Sequence, residues 1–214
     1  MLLVVISNLT IAETPSVTAR RISGSITLDG KLDEPEWRDA QVIKLTQQAP
    51  HPGAPTPYLT EVRVLIKSDA VYFGFLCHDP HPEAIAMHTM IRDGDQSGDD
   101  SIAIVLDTYG DRRTGYYFQI NAAGARVDGL IDHPESVSLD WDGIWDARTA
   151  RVTEGWSAEI MIPSRTLNFA RGRDEWGLNV QRFVSRGGRT WLRWSSPTLD
   201  SFLFDLSRAG VLKG

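Results

Sequence analysis

Covalent staples are missing from this 214-residue chain: Cys77 is its only cysteine, so no intrachain disulfide can form. That suits the cytoplasm, or a secreted domain whose core is large enough to need no cross-link. Positive charge is scarce as well. Lys and Arg total 22 against 28 Asp and Glu, a net charge of −6. Without a basic stripe to neutralise phosphates, nucleic acid is excluded as the main partner. Long apolar runs are absent, so direct membrane insertion of this segment is not expected. Met1 to Ile6 is apolar, but it is short and lacks a positive flank. It reads as a truncated signal peptide or as an ordinary tail. The expected division is 1–19 as tail or signal-peptide remnant and 20–214 as one domain. Catalytic signatures are missing too. There is no Gly-x-Ser-x-Gly elbow and no Gly-rich phosphate loop after a strand. His78, Asp79 and His81 stand beside Cys77, but the second ligand pair of a zinc site is not evident. The chain is not expected to be an enzyme or to need an organic cofactor.

What is present is a dense series of short strand patterns. Thr60 to Lys67 alternates partly between apolar and charged residues, and after Ser68-Asp69-Ala70 the stretch Val71 to His78 returns. Ser101 to Thr108 is a near-continuous apolar run, the mark of a central strand covered on both faces. Tyr116 to Asn121 and Ala125 to Ile131 flank Ala122-Ala123-Gly124 as a second hairpin. Trp176 to Arg186 and Thr190 to Trp194 form a third around Gly187-Gly188. Trp156 to Ile162 alternates and is stopped by Pro163. The prediction is an all-β fold, an antiparallel β-sandwich of immunoglobulin or jelly-roll type with one or two short helices. One helix is expected after Leu28-Asp29-Gly30-Lys31-Leu32-Asp33-Glu34-Pro35-Glu36-Trp37, capped by Asp33 with Glu36 completing a capping box. Trp37, Trp156 and Trp176 are expected in or under the core.

Two constellations could carry chemistry. Acidic residues cluster in loops, and Asp93, Asp95, Asp107 and Asp111 are candidate ligands for a structural calcium ion, which takes six to eight oxygens. The terminal glutamate and the fixed glycine of an EF-hand are not there. Asp140-Trp141-Asp142-Gly143-Ile144-Trp145-Asp146 mixes aromatic rings with carboxylates, the composition that a sugar needs. An apolar C–H face stacks on a ring while hydroxyls take hydrogen bonds.

The Leu28–Trp37 phrase resembles the opening of the family-9 carbohydrate-binding modules. Thr60 to Asp79, Asp99 to Asp111, Gly155 to Pro163 and Trp176 to Arg182 follow in the family's order, so the resemblance spans about residues 20–213. It implies a β-sandwich, structural calcium, and a terminal sugar gripped between two tryptophans. Where the first tryptophan would stand, this chain has Gln96-Ser97-Gly98. The second corresponds to Phe202, after Trp194-Ser195-Ser196-Pro197. Ala103 and Gln119 replace a glutamate and an arginine of the family pattern, and Gln181 is retained. The candidate ligand-binding set is therefore Trp141, Trp145, Gln119, Gln181 and Phe202, with Arg92, Asp99 and Asp100 as a polar rim. Trp141 or Trp145 would supply the missing stacking platform.

The expected function is non-catalytic carbohydrate binding within polysaccharide recognition or degradation, by a secreted, periplasmic or outer-membrane-associated protein. Arg92-Asp93, Asp99-Asp100, Asp107-Thr108-Tyr109, Asp111-Arg112-Arg113 and Trp141-Asp142-x-x-Trp145 also resemble the version of this domain that opens long outer-membrane-barrel proteins. That alternative implies a periplasmic accessory domain without a sugar site, in a parent chain continuing into a C-terminal barrel or catalytic domain. A remote alternative is a haem-binding electron-transfer domain using Met87 or Met90.

Overall fold

The computed structural model of the chain describes residues 13–170 and 172–214. The chain enters extended, as β1 (Ser16–Thr18) and β2 (Arg20–Arg21), and turns through the Asp29-Gly30 bend into a single helical turn, α1 (Pro35–Arg38). Two short strands, β3 (Ile43–Lys44) and β4 (Thr46–Ala49), lead to the long hairpin β5 (Thr60–Lys67) and β6 (Ala70–His78). Then come β7 (Ser101–Asp107), β8 (Gly115–Asn121), β9 (Arg126–His133) and β10 (Ser136–Ser138). β11 (Asp146–Val152), β12 (Gly155–Pro163), β13 (Glu175–Val184), β14 (Thr190–Arg193) and β15 (Gly210–Lys213) complete the described strands. No helix among the described residues is long and apolar enough to cross a membrane.

These strands form two facing sheets. One has nine strands, with β1-β15-β13-β7-β8-β9-β10 in order and β14 and β4 continuing from β13; the other has six, β11-β12-β6-β5-β2 with β3 on β5. Period-two alternation explains the arrangement. Ile102, Ile104 and Leu106 of β7 turn inward and meet Phe73 and Phe75 of β6 and Ile160 and Ile162 of β12 in one buried cluster. The fold is thus the predicted β-sandwich, with one difference in strand direction. β1 pairs parallel with β15, and β2 pairs parallel with β5, because the incoming chain borders first one sheet and then the other. Since Ser16–Thr18 pair with Val211–Lys213, the folded unit starts before residue 20. Residues 1–12, where the signal-peptide reading falls, lie outside the described residues.

The outer face of the six-stranded sheet is covered by the chain itself. Trp37 is 1% exposed and seats its ring on Gly74 of β6, where a Cβ would come within 2.9 Å of it. Its indole Nε1 donates to Glu159 Oε1 at 3.1 Å. The amides of Asp29 and Gly30 donate to the other carboxylate oxygen at 2.9 Å each. Gly30 has φ of +91°, and a Cβ there would lie 2.6 Å from the Thr149 carbonyl carbon, so turn and docking both demand glycine. Burial pushes the Glu159 carboxyl up to about 7 although the Gly30 and Asp29 amides pull the other way. The expected Asp33 cap is not formed. Glu34 holds the N-cap position with no side-chain cap, and it accepts from the Thr27 amide instead. Trp156 is as deeply buried as Trp37, whereas Trp176 packs half-buried against the main core.

One end of the sandwich is closed by ion pairs. Arg182 is fully buried on the inward side of β13, donating to the His78 carbonyl at 2.8 Å and meeting Asp79 at 3.5 Å. Arg186 bridges Asp79 and Asp100, the latter at 2.8 Å. Asp79 is therefore committed to holding the sheets together, which answers the zinc reading of His78, Asp79 and His81.

Candidate functional site

The outer face of the nine-stranded sheet is covered in part by Leu203, Phe204 and Leu206, which pack on Val105, Tyr117 and Val127, and is open beside them. Register aligns one row of side chains across it: Arg193 of β14 opposite Gln181 of β13, then Ala103 of β7, Gln119 of β8 and Val127 of β9. A second row sets Trp191 beside Phe183 and Ser101. These side chains floor a cavity of about 560 Å³, walled on the β9 side by the loop from Asp93 to Ser97 and by Val137 and Leu139. A second depression of about 310 Å³ shares Tyr117, Gln181 and Trp191 with it and extends to Arg193 and Phe202. The combined size is that of an ordinary small-ligand site.

Polar groups in the floor are held in fixed orientations. Arg193 Nη2 donates to Gln181 Oε1 at 2.7 Å, which turns the Gln181 amide nitrogen away from the arginine. Gln119 accepts from the Tyr117 hydroxyl and donates to Gln96 Oε1 at 2.9 Å; Gln96 in turn donates to the Ala125 carbonyl. Burial pushes the Tyr117 hydroxyl far above its ordinary value, so it stays a neutral donor. Ala103, small and central, leaves a gap between the two glutamines. Trp191 and Phe183 pack at 4.9 Å between centroids, both half-buried, forming an aromatic wall. The arrangement can stack an apolar ring face and hydrogen-bond its edge.

The candidates from sequence divide sharply. Gln119 and Gln181 line the cavity, and Phe202, 54% exposed, stands on the adjoining depression. Trp145 does not. It is 4% exposed, edge-on to Phe118 at 5.3 Å in the core between the sheets, with Arg126 over its ring. Trp141 packs half-buried on the same core against Tyr116 at 5.2 Å. Trp145 is too deeply buried to be the stacking platform, and Trp141 packs on the core away from this cavity, while the neighbouring acids turn out to Arg92, Arg126 and Arg148. The polar rim also dissolves. Arg92 is engaged with Asp93, Asp128 and Asp142. Asp99 is buried and accepts from the His88 and Thr89 amides and from Asn121. Burial opposes its ionisation, but these donors hold its carboxyl below the usual range. Asp100 accepts from Ser185 and pairs with Arg186.

The calcium candidates do not fit one ion. Asp93 and Asp95 precede β7 while Asp107 ends it, and its seven residues span about 20 Å. Each carboxylate is already occupied. Asp107 accepts from the amides of Gly110, Asp111 and Arg112, and Asp111 accepts from Arg113 and Thr114. Asp95 accepts from the Ser97 amide. No group of three or more potential ligands converges among the described residues. Met87 and Met90, offered for haem, are both exposed, at 42% and 79%.

Sequence reasoning missed Phe183, Trp191 and Arg193 as members of the site. Phe183 was readable, two residues from Gln181 on one strand; Trp191 and Arg193 share that face only through the hairpin register, which pairs Gln181 with Arg193 and Phe183 with Trp191 and is not fixed by spacing across the turn.

No protein-family model and no curated protein matches the chain. Solved structures do match. A family-9 carbohydrate-binding module from Caldicellulosiruptor kristjanssonii in complex with cellotriose superposes with a TM-score of 0.68 at 15% identity, over 93% of each chain. The structure of such a module from that organism in complex with glucose gives 0.68 at 16% identity, over 93% of this chain and 95% of the other. A candidate carbohydrate-binding protein of Bacteroides uniformis gives 0.74 at 12% identity, over 94% of this chain and 99% of the other. The fold is that of the family-9 carbohydrate-binding modules.

Proposed function

We propose that the chain is a non-catalytic carbohydrate-binding module whose sugar lies on the outer face of the nine-stranded sheet. The carrying observation is the row Gln181–Ala103–Gln119 beside the Trp191–Phe183 wall, one open face offering both an aromatic surface and oriented amides. Trp191 stacks on the apolar face of the sugar ring, and the Gln181 amide nitrogen donates to its edge. Sugar-bound relatives in fold, one with cellotriose and one with glucose, favour the same ligand class. A non-catalytic role is supported by the likeness in fold to carbohydrate-binding modules. In this reading the protein acts outside the cytoplasm, in polysaccharide recognition or degradation. A glycan array on the wild-type chain, followed by calorimetry on the best ligand, tests it. Trp191→Ala is expected to weaken binding at least about tenfold. Unchanged affinity in that variant, or no binding to any glycan, contradicts the proposal.

A further inference from the structure

Two arginines among the described residues are almost fully buried, and they are treated differently. Arg182, fully buried, faces Asp79. Arg193, 3% exposed, forms no ion pair with any described carboxylate. Its guanidinium has five N–H donors. Nη1 donates to the Ser201 carbonyl at 3.0 Å and the Ser201 hydroxyl at 2.9 Å, and Nη2 donates once, to Gln181. Nε is buried with no partner, and the second Nη2 hydrogen has no described acceptor. A buried cation without a counter-charge is costly and is normally paired. Arg193 also contacts the depression beside Trp191 and is the only charged residue lining it. Desolvation lowers its pKa to about 10, so it is still charged at neutral pH. Arg189, exposed at the tip of the same hairpin, lines the adjoining cavity. The two acids lining that cavity, Asp93 and Asp95, are on its far wall, toward β8 and β9. The charge of this face is therefore graded, positive at β14 and negative at the opposite wall.

Resting on the carbohydrate-binding reading above, we infer that the ligand is an acidic glycan whose carboxylate lies at the β14 end of the site, supplying the counter-charge that Arg193 lacks. The Gln181 amide, its oxygen held by Arg193, presents its nitrogen to the same carboxylate. The ring bearing that group lies over Ala103 against Trp191. The acidic wall at Asp93 and Asp95 disfavours the reversed orientation.

Calorimetry on matched pairs tests this: trigalacturonate against its methyl ester, and glucuronyl-xylotriose against xylotriose. Inorganic sulfate and acetate serve as bare anions. In at least one pair the acid is expected to bind about tenfold tighter or more than its neutral counterpart. That preference is expected to shrink as NaCl rises from about 50 to about 500 mM, and to be lost in Arg193→Gln but partly kept in Arg193→Lys. Circular dichroism checks that the variants fold; if Arg193→Gln does not, the wild-type pairs and their salt dependence decide. Neutral sugars binding as tightly as their acids overturns this inference while leaving the carbohydrate-binding reading intact. Bare anions binding as tightly as the acidic sugars also overturns it. No sugar of either kind binding here or on the array removes the underlying reading itself.

Discussion

Each sheet of this sandwich has an outer face, and each outer face buries an ionisable side chain that forms no ion pair. On the six-stranded sheet it is Glu159, fully buried and met by three N–H donors from Asp29, Gly30 and Trp37. On the nine-stranded sheet it is Arg193, met by Ser201 and Gln181, with two donors left over. The first face is finished by its own chain, which folds residues 22–38 over it with Trp37 as the anchor. The second is covered only in part, by Leu203, Phe204 and Leu206, and keeps a lined, open cavity beside them. A buried ion satisfied by local donors reads as structure; an unpaired one at the edge of a cavity, with donors left over, reads as a place for something that is not part of the chain.

The largest expected effect falls on the finished regions. Trp37→Ala removes a ring that is 1% exposed and its bond to Glu159, and should cost about 3–5 kcal/mol in urea unfolding while leaving sugar affinity of the folded protein unchanged. Trp145→Ala, in the core between the sheets, should behave in the same way. Sugar binding lost in Trp145→Ala with stability intact would move the site to the other end of the molecule and break the comparison.

A smaller effect is expected from Glu159→Gln. The native carboxyl stands at about 7 against an ordinary 4.5, so between those values the native state holds more protons than the unfolded one. Its contribution to stability is therefore greatest below about pH 4.5 and declines as pH rises to about 7, by on the order of 2–3 kcal/mol. Urea midpoints across that range should show the wild type losing stability relative to the variant. Parallel pH curves for the two proteins would contradict the carboxyl's raised value. At low pH the variant should be the weaker by about 1–3 kcal/mol wherever its amide nitrogen faces the Trp37 indole N–H, donor against donor.

The smallest stability effect belongs to the open face. Trp191→Ala should shift stability by no more than about 1 kcal/mol, since its ring is only half-buried, yet should abolish most of the binding. Stability falling as far as in Trp37→Ala would make Trp191 a core residue and leave the open face without its platform.

How far all this was legible in the sequence follows from what alternation can and cannot convey. The hairpins β5–β6, β8–β9 and β13–β14 were readable because period-two patterns bracket turn residues. The parallel strands β1 and β2 were not, because two or three residues carry no period and their partners are distant in sequence. Gln119 and Gln181 were reached through a family pattern. The inward turn of Trp141 and Trp145 was not legible because carboxylates beside a ring suggest exposure, whereas alternate side chains in an extended segment face opposite ways. The capping of α1 failed for a related reason: a four-residue turn is held by Trp37 packing and the Glu159 contact, not by its ends.

The central claim, that the open face of the nine-stranded sheet is the sugar site, is tested most directly by a crystal structure of the complex with the tightest glycan found on the array. The account predicts a sugar ring over Ala103, stacked on Trp191, with the Gln181 amide nitrogen at hydrogen-bond distance from its edge. A sugar seated instead against Trp141, at an edge of the six-stranded sheet, or anywhere that leaves Trp191 and Gln181 without a ligand contact would contradict it.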